Sequence, residues 1–354
     1  MISTEKVFGQ YVLRPATEIF RHHLSDSAEE HASTCAISTR WTPLTLVSVT
    51  PYNHDTSLFC FSLSLLLSRH PSEAAGLDLP VGACMLIRAP NCEHLPMGGD
   101  AIRPYTTISS EEEIRATGCM SIMVKRYDEW GKRETPSTHF LFTKTDHTFR
   151  PAGAVSNYIH RLKVGDTLEF KHTRECVGRF PSPVPLENIF WSLIAVGVGI
   201  APMINIMRHL LQSASRQVVL LYGAREVEDV LLFPLLEQLS AEASGRLRLV
   251  YCIGSRWANI HMGAKTKNEY IPPPPPRGFE ELKVGPFSTK AIGWVNEEKI
   301  KTFAFPPGRD SRVVVCGLPG VYDKLCGSRF EVEVLAAGCA LSNLCYSADS
   351  VHKL

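Results

Sequence analysis

The chain lacks the cysteine patterns that hold metals. Its eleven cysteines stand singly, with no C-x-x-C pair and no His/Cys cluster at zinc or iron–sulfur spacing, and their number is odd. That excludes a zinc or iron–sulfur module and points to a reducing compartment. A long hydrophobic run is missing too: the longest, Leu58 to Leu67, is broken by serines and falls far short of the roughly 20 residues a bilayer-crossing helix needs. Residues 1–40 have no signal-peptide apolar core, and Glu5, Glu18, Asp26, Glu29 and Glu30 argue against a transit peptide. Net charge is nearly absent. With 37 Lys+Arg against 36 Asp+Glu, the formal charge is +1, so no bulk field draws the chain to nucleic acid or anionic lipid.

What is present is ordinary globular material. The chain has 354 residues, of which 44% are hydrophobic and 21% charged, enough for two domains with their own cores. Residues 1–40 carry a short helical candidate around Ala16 to Leu24 and read as a partly flexible extension. From Trp41 short β-type runs follow: Thr45–Val49, Leu58–Leu63, Ala83–Arg88, Arg103–Ser110 and Cys119–Lys125. Turn signals such as Pro51-Tyr52-Asn53-His54-Asp55 separate them, and this spacing predicts an antiparallel barrel over 41–180.

In the run Arg103-Pro104-Tyr105-Thr106-Thr107-Ile108, Pro104 fixes its own φ and biases Arg103 toward extended backbone. A strand there places Arg103, Tyr105 and Thr107 on one face and Pro104, Thr106 and Ile108 on the other. A fixed cation, an aromatic ring and hydroxyls on one segment suit an anionic, aromatic ligand. Further on, Gly153 precedes a short helical turn, Ala154-Val155-Ser156, whose exposed amides make an anion site. A strand Leu168–Phe170 closes this part, and the link Pro181-Ser182-Pro183-Val184-Pro185 marks a boundary.

Residues 186–354 read as α/β. The apolar strand Phe190–Val196 runs into Gly197-Val198-Gly199-Ile200-Ala201-Pro202 and a helix Met203–Leu211, with Pro202 starting that helix. The strand Gln217–Gly223, a helix Val230–Leu239 and the strand Leu247–Ile253 follow. Strands alternating with helices imply a parallel sheet with ligands at the carboxyl ends of its strands. An irregular insertion near 260–290 holds the run Pro272 to Pro276, a polyproline spacer. A helix near Asn296–Lys301, a buried strand Val313–Cys316, a turn Gly317–Gly320 and a closing helix complete the chain.

Taken in order, these segments resemble the NADH–cytochrome b5 reductases of the wider ferredoxin–NADP reductase superfamily. The likeness rests on His54-Asp55-Thr56 with Phe59 and Phe61, Arg103-Pro104-Tyr105-Thr106, and Phe149 to Ser156. It continues through Gly199-Ile200-Ala201-Pro202-Met203, Gly293-Trp294-Val295-Asn296-Glu297-Glu298 and Cys316-Gly317-x-Pro319. The resemblance implies FAD in the barrel domain, with Arg103 at the pyrophosphate, Tyr105 against the isoalloxazine, Thr106 near its N5, and Pro104 in the same cofactor-binding segment. It implies that Met123 and Lys125 meet the flavin and ribose, and that Gly153, Ala154, Val155 and Ser156 form the phosphate-binding helix start. It further implies NADH and/or NADPH across Gly197, Val198, Gly199 and Pro202, with Cys316 and Gly317 beside the nicotinamide. Thr106, Lys125 and Cys316 are the residues it places nearest the chemistry.

Three departures qualify the resemblance. Val198 stands where the family has a threonine. The turn after Phe170 reads Lys171-His172-Thr173-Arg174-Glu175 where the family tends to have Gly-Pro. After Ile253, where reductases specific for NADH place an acid, the chain has Gly254, then Ser255 and Arg256, which suit a 2′-phosphate, with Lys265 in support. The resemblance therefore implies relaxed nucleotide choice and a flavoprotein reductase serving a separate one-electron acceptor protein such as cytochrome b5. No His-Pro-Gly-Gly haem signature is present. The second reading is a degenerate flavin-fold module without turnover. The expected location is the cytoplasm, with a mitochondrial site and attachment to a membrane through a partner both left open.

Overall fold

The computed structural model describes residues 37, 39–67, 77–92, 99–129, 152–172, 180–181, 184–185, 189–254 and 275–354. The helical candidate at 16–24 and most of the polyproline run lie outside them. The first sheet holds β1 (Thr42–Pro51), β2 (Thr56–Ser62), β3 (Met85–Ala89), β4 (Ala101–Tyr105), β5 (Cys119–Lys125) and β6 (Thr167–Lys171), in the order β4-β3-β6-β1-β2-β5. Every ladder in it is antiparallel. Alternation decides its two faces: Phe59 and Phe61 of β2 and Met120, Ile122 and Val124 of β5 point into a core shared with Leu168 and Phe170. The sheet curls until its edges nearly meet. No β4–β5 ladder forms among the described residues; a single bridge, Thr107 to Ile122, joins them.

Among the described residues three short helices accompany this sheet: α1 (Ser64–Leu67), α2 (Glu111–Thr117) and α3 (Ala154–Arg161). α2 corrects the sequence expectation of an extended run to Ser110, since β4 ends at Tyr105. Ser110 Oγ accepts from the Glu113 amide at 3.1 Å, and the Glu113 carboxylate accepts from the Ser110 amide at 2.7 Å. That reciprocal pair satisfies two helix-start donors and turns the chain.

The second sheet is parallel throughout, in the order β10-β9-β8-β7-β11-β12. It contains β7 (Phe190–Val196), β8 (Gln217–Ala224), β9 (Leu247–Ile253), β10 (Ser288–Ile292), β11 (Ser311–Cys316) and β12 (Val351–Lys353). The near-continuous apolar runs of β7, β8 and β9 follow from burial on both faces. α4 (Ile200–Leu211), α5 (Phe233–Glu242), α6 (Glu297–Phe303), α7 (Pro319–Leu325) and α8 (Ala340–Asn343) complete the domain. The expected helix over 230–239 begins and ends three residues later. Pro202 is the third residue of α4, inside its first turn, and Gly199 is the cap. β10 and β12 go beyond the sequence reading. β10 is half-buried and polar, and β12 is three residues long.

From β7 the chain runs outward through β8, β9 and β10, then returns to the other side of β7 as β11. The strand order therefore reverses between β7 and β11, where an open α/β sheet leaves a crevice at its carboxyl ends. Among the described residues no helix is long and apolar enough to cross a membrane.

Candidate functional site

The curled sheet gathers most of the residues expected to meet FAD. α3 packs against β3, β4 and β5 and so bridges the two strands that carry them. Its cap is Gly153, with no side-chain cap hydrogen bond, which leaves the first-turn amides of Ala154, Val155 and Ser156 for another acceptor. Ser156 Oγ donates to the Gly153 carbonyl at 3.2 Å. A Cβ at 153 would lie 2.5 Å from that hydroxyl and would displace it. Arg103 on β4 is exposed, and its Nη1 donates to the Ile102 carbonyl at 2.7 Å. Pro104 lies half-buried beside it, opposite Leu86. Tyr105 packs against the barrel core, and burial raises its phenol above the ordinary value. Thr106 and Thr107 leave the strand, and the Thr107 hydroxyl donates to the Ser121 carbonyl at 3.0 Å.

The nucleotide-domain residues meet at the crevice. Gly197–Gly199 forms a single 3-10 turn at the end of β7. Gly197 has φ +55 with open space where a side chain would stand. A Cβ at Gly199 would overlap the Cys316 carbonyl, so this turn and the Cys316-Gly317 turn touch backbone to backbone at the strand-order reversal. Burial pushes the Cys316 thiol up. Val198 is half-buried against the domain core. The sequence reading missed Tyr222, whose buried hydroxyl donates to the Gly197 carbonyl at 3.1 Å and accepts from the Leu231 amide at 3.1 Å. Its position inside an apolar strand hid that polar role.

Two seams bring these halves together. In the first, Asn205 Nδ2 of α4 donates to the Thr107 and Ser109 carbonyls at 3.1 and 3.2 Å, and Arg208 donates to the Ile108 carbonyl at 3.1 Å and pairs with Glu113 at 3.2 Å. In the second, Asn53 Nδ2 donates to the Glu228 carbonyl at 2.8 Å, and the Phe233 amide donates to Tyr52 Oη at 3.2 Å. Between them Met123 of β5 is buried in the nucleotide-domain core, with Leu58 and Ile108 against the same cluster. The Gly197–Gly199 turn packs on β5.

Lys125 sits in the second seam. Its Nζ lies 2.5 Å from Asp55 and 3.5 Å from Asp229, a buried acid of the nucleotide domain that Arg225 also meets at 3.1 Å. The Asp229 Oδ1 atom accepts no hydrogen bond. Burial works to raise the Asp55 carboxyl, but hydrogen bonds from Lys125 and Thr56 and the lysine charge hold it below its ordinary value. Ligand atoms of His54, Asp55 and Asp229 lie within 4.8 Å of one another, and the cation standing among them is Lys125's own ammonium. Ser255 and Arg256 lie outside the described residues. Gly254, at φ +141, would bring a side chain to 3.0 Å from the Gly293 backbone, so position 254 is closed to an acid.

Comparison with known proteins fits this arrangement. Residues 43–176 match the family described as "Oxidoreductase FAD-binding domain", and residues 193–269 the one described as "Oxidoreductase NAD-binding domain". The chain is 27% identical over 308 residues to NADH-cytochrome b5 reductase 3 of Rattus norvegicus, covering 82% of each. It is 26% identical over 269 residues to NADH-cytochrome b5 reductase 1 of Dictyostelium discoideum, covering 75% of this chain and 69% of that one. In fold it is similar to the cytochrome b5 reductase domain of Ulva prolifera nitrate reductase, with a TM-score of 0.56 and 21% identity over 82% of this chain and 92% of that one.

Proposed function

The chain is a divergent member of the NADH–cytochrome b5 reductase family within the ferredoxin–NADP reductase superfamily, and on that footing we propose that it passes electrons from NADH or NADPH to a one-electron acceptor protein such as cytochrome b5. Its cofactors are FAD and a nicotinamide dinucleotide. Bound FAD supplies acceptance of a two-electron hydride and release of electrons one at a time.

The donor set suits FAD. Arg103 offers an exposed guanidinium to the pyrophosphate, and Ala154, Val155 and Ser156 offer first-turn amides to the same phosphates. The family resemblance sets Pro104, Tyr105 and Thr106 along the flavin, with Met123 and Lys125 on β5 beside it. On the nucleotide side the family resemblance runs the dinucleotide across Gly197, Val198 and Gly199, with Pro202 in the first turn of α4 and Cys316 and Gly317 at the crevice. The observation that carries the reading is the packing of the Gly197–Gly199 turn on β5. It brings the nucleotide crevice to the flavin-binding strand, so the residues hold two cofactors for direct transfer and need no acid or base of their own.

The test is an absorbance titration of the purified chain, followed by addition of ferric cytochrome b5. A yellow protein that bleaches with NADH or NADPH and then reduces cytochrome b5 is the expected result. A colourless protein that takes up no FAD, or a flavin that bleaches while cytochrome b5 stays oxidised, refutes it. With no carboxylate at Gly254 to repel a 2′-phosphate, and Ser255 and Arg256 next in the chain, both nucleotides are substrates on this reading. A kcat/KM preference for NADH beyond about a hundredfold refutes that part.

A further inference from the structure

β2 and β5 pair so that Cys60 opposes Ser121 and Ser62 opposes Cys119. Cys60 and Cys119 are therefore diagonal neighbours on the same, outer face of the curled sheet, while Phe59, Phe61, Met120 and Ile122 fill the inner one. Both thiols are free and partly exposed. Partial burial and the neighbouring sulfur hold the Cys119 thiol above its ordinary value.

We propose that Cys60 and Cys119 form a reversible intramolecular disulfide, which makes this face a redox-modification site. A disulfide requires Cβ atoms about 3.5–4.5 Å apart, closer than an ideal diagonal pair, so one strand must shift. The shift falls to the Cys119 end of β5, an edge strand whose ties on its far side, the Thr107–Ile122 bridge and the bonds of Ser121 to Thr107, Ile108 and Ser109, all lie beyond that residue. The oxidant is a low-molecular-weight disulfide. One cysteine thiolate attacks it and releases one thiol, and the second cysteine thiolate then attacks the mixed disulfide and releases the other. Two protein thiols are oxidised and one small disulfide is reduced to two thiols. The same outer face carries Leu58 and Met123 one rung further on, and Thr56 and Lys125 beyond them, so the bond staples the strand that reaches the cofactor seam.

Cleavage after Lys and Arg leaves Cys60 alone in peptide 41–69 and Cys119 alone in peptide 116–125. The full chain is treated with glutathione disulfide, its remaining thiols are alkylated, and the digest is analysed by mass spectrometry. The expected result is a 41–69/116–125 cross-link that dithiothreitol removes, with exposed Cys345 in the same sample carrying glutathione. Cys60→Ser abolishes the cross-link and leaves a glutathione adduct on Cys119. The proposal is overturned if Cys345 is modified while Cys60 and Cys119 of the unsubstituted chain are recovered alkylated, glutathionylated singly, or linked to other cysteines. That measurement needs no variant to fold.

Discussion

Replacing Tyr222 with phenylalanine isolates one hydroxyl that holds the nucleotide turn. Tyr222 is 1% exposed, as is Leu231, so no water substitutes for the lost group. The substitution keeps the ring and its packing. It removes the donor to the Gly197 carbonyl and leaves the Leu231 amide buried without an acceptor. A stranded buried donor costs about 1–3 kcal/mol, and the bond to Gly197 adds about 1 kcal/mol. A total of about 2–4 kcal/mol lowers the thermal midpoint of a domain this size by roughly 4–16 °C. The Gly197 turn also loses its outside support, so KM for NADH rises while kcat changes little, the signature of lost ground-state binding. Calorimetry and steady-state kinetics on the purified variant test both. A midpoint and a KM that both match the parent would show that the hydroxyl supports nothing.

Other perturbations separate the two halves of the site. Arg103→Ala, at an exposed strand position, weakens FAD retention by more than about tenfold with little change in unfolding temperature, because charge-assisted hydrogen bonds contribute about 1.5–3 kcal/mol; flavin release during dialysis measures it. Gly199→Ala pushes the turn off Cys316 and raises the nucleotide Kd while FAD content stays unchanged, which titration of flavin bleaching against NADH reads. Ser110→Ala removes the cap on α2 and costs about 1 kcal/mol, visible in urea unfolding. His172 is buried, neither ring nitrogen is hydrogen-bonded, and burial lowers it from 6.5 to about 4. Its folded form stays neutral while the unfolded chain takes a proton below 6.5. Stability is then complete above pH 6.5 and falls by about 3 kcal/mol as pH drops toward 4, and His172→Leu flattens that decline.

The parts of the fold that local chemistry dictates were readable in the chain. β7 and β9 begin and end where their apolar runs do, because strands buried on both faces carry no alternation to blur the edges. The helix start at Ser110 was equally local, with a glutamate three residues on, but the Ser/Thr-rich run before it reads as strand. β12 was not readable: only three residues pair with β11, and Lys353 among them buries its ammonium against the distant carbonyls of Ser328, Glu331 and Val334. The seams were hidden for the same reason. Asn205 and Arg208 look like the polar positions of an ordinary amphipathic helix, and only docking onto Thr107, Ile108 and Ser109 gives them a task.

Lys125 shows how far such docking changes a residue's chemistry. The family resemblance assigns its charge to the cofactor's approach, yet here two carboxylates, one from each domain, already take that charge. The lysine, Asp55 and Asp229 side chains are 20%, 14% and 8% exposed. Taking the ammonium away would leave Asp229 with the more exposed Arg225 as its remaining cation, and stranding a buried charge costs about 3–5 kcal/mol. A phosphate therefore competes poorly for Lys125 in this conformation. Arg103 stands in the opposite condition, exposed and bonded only to a neighbouring carbonyl among the described residues. The two cations then divide: Arg103 is left open to an anion, while Lys125 fixes β5 against the nucleotide domain and keeps Met123 at their junction.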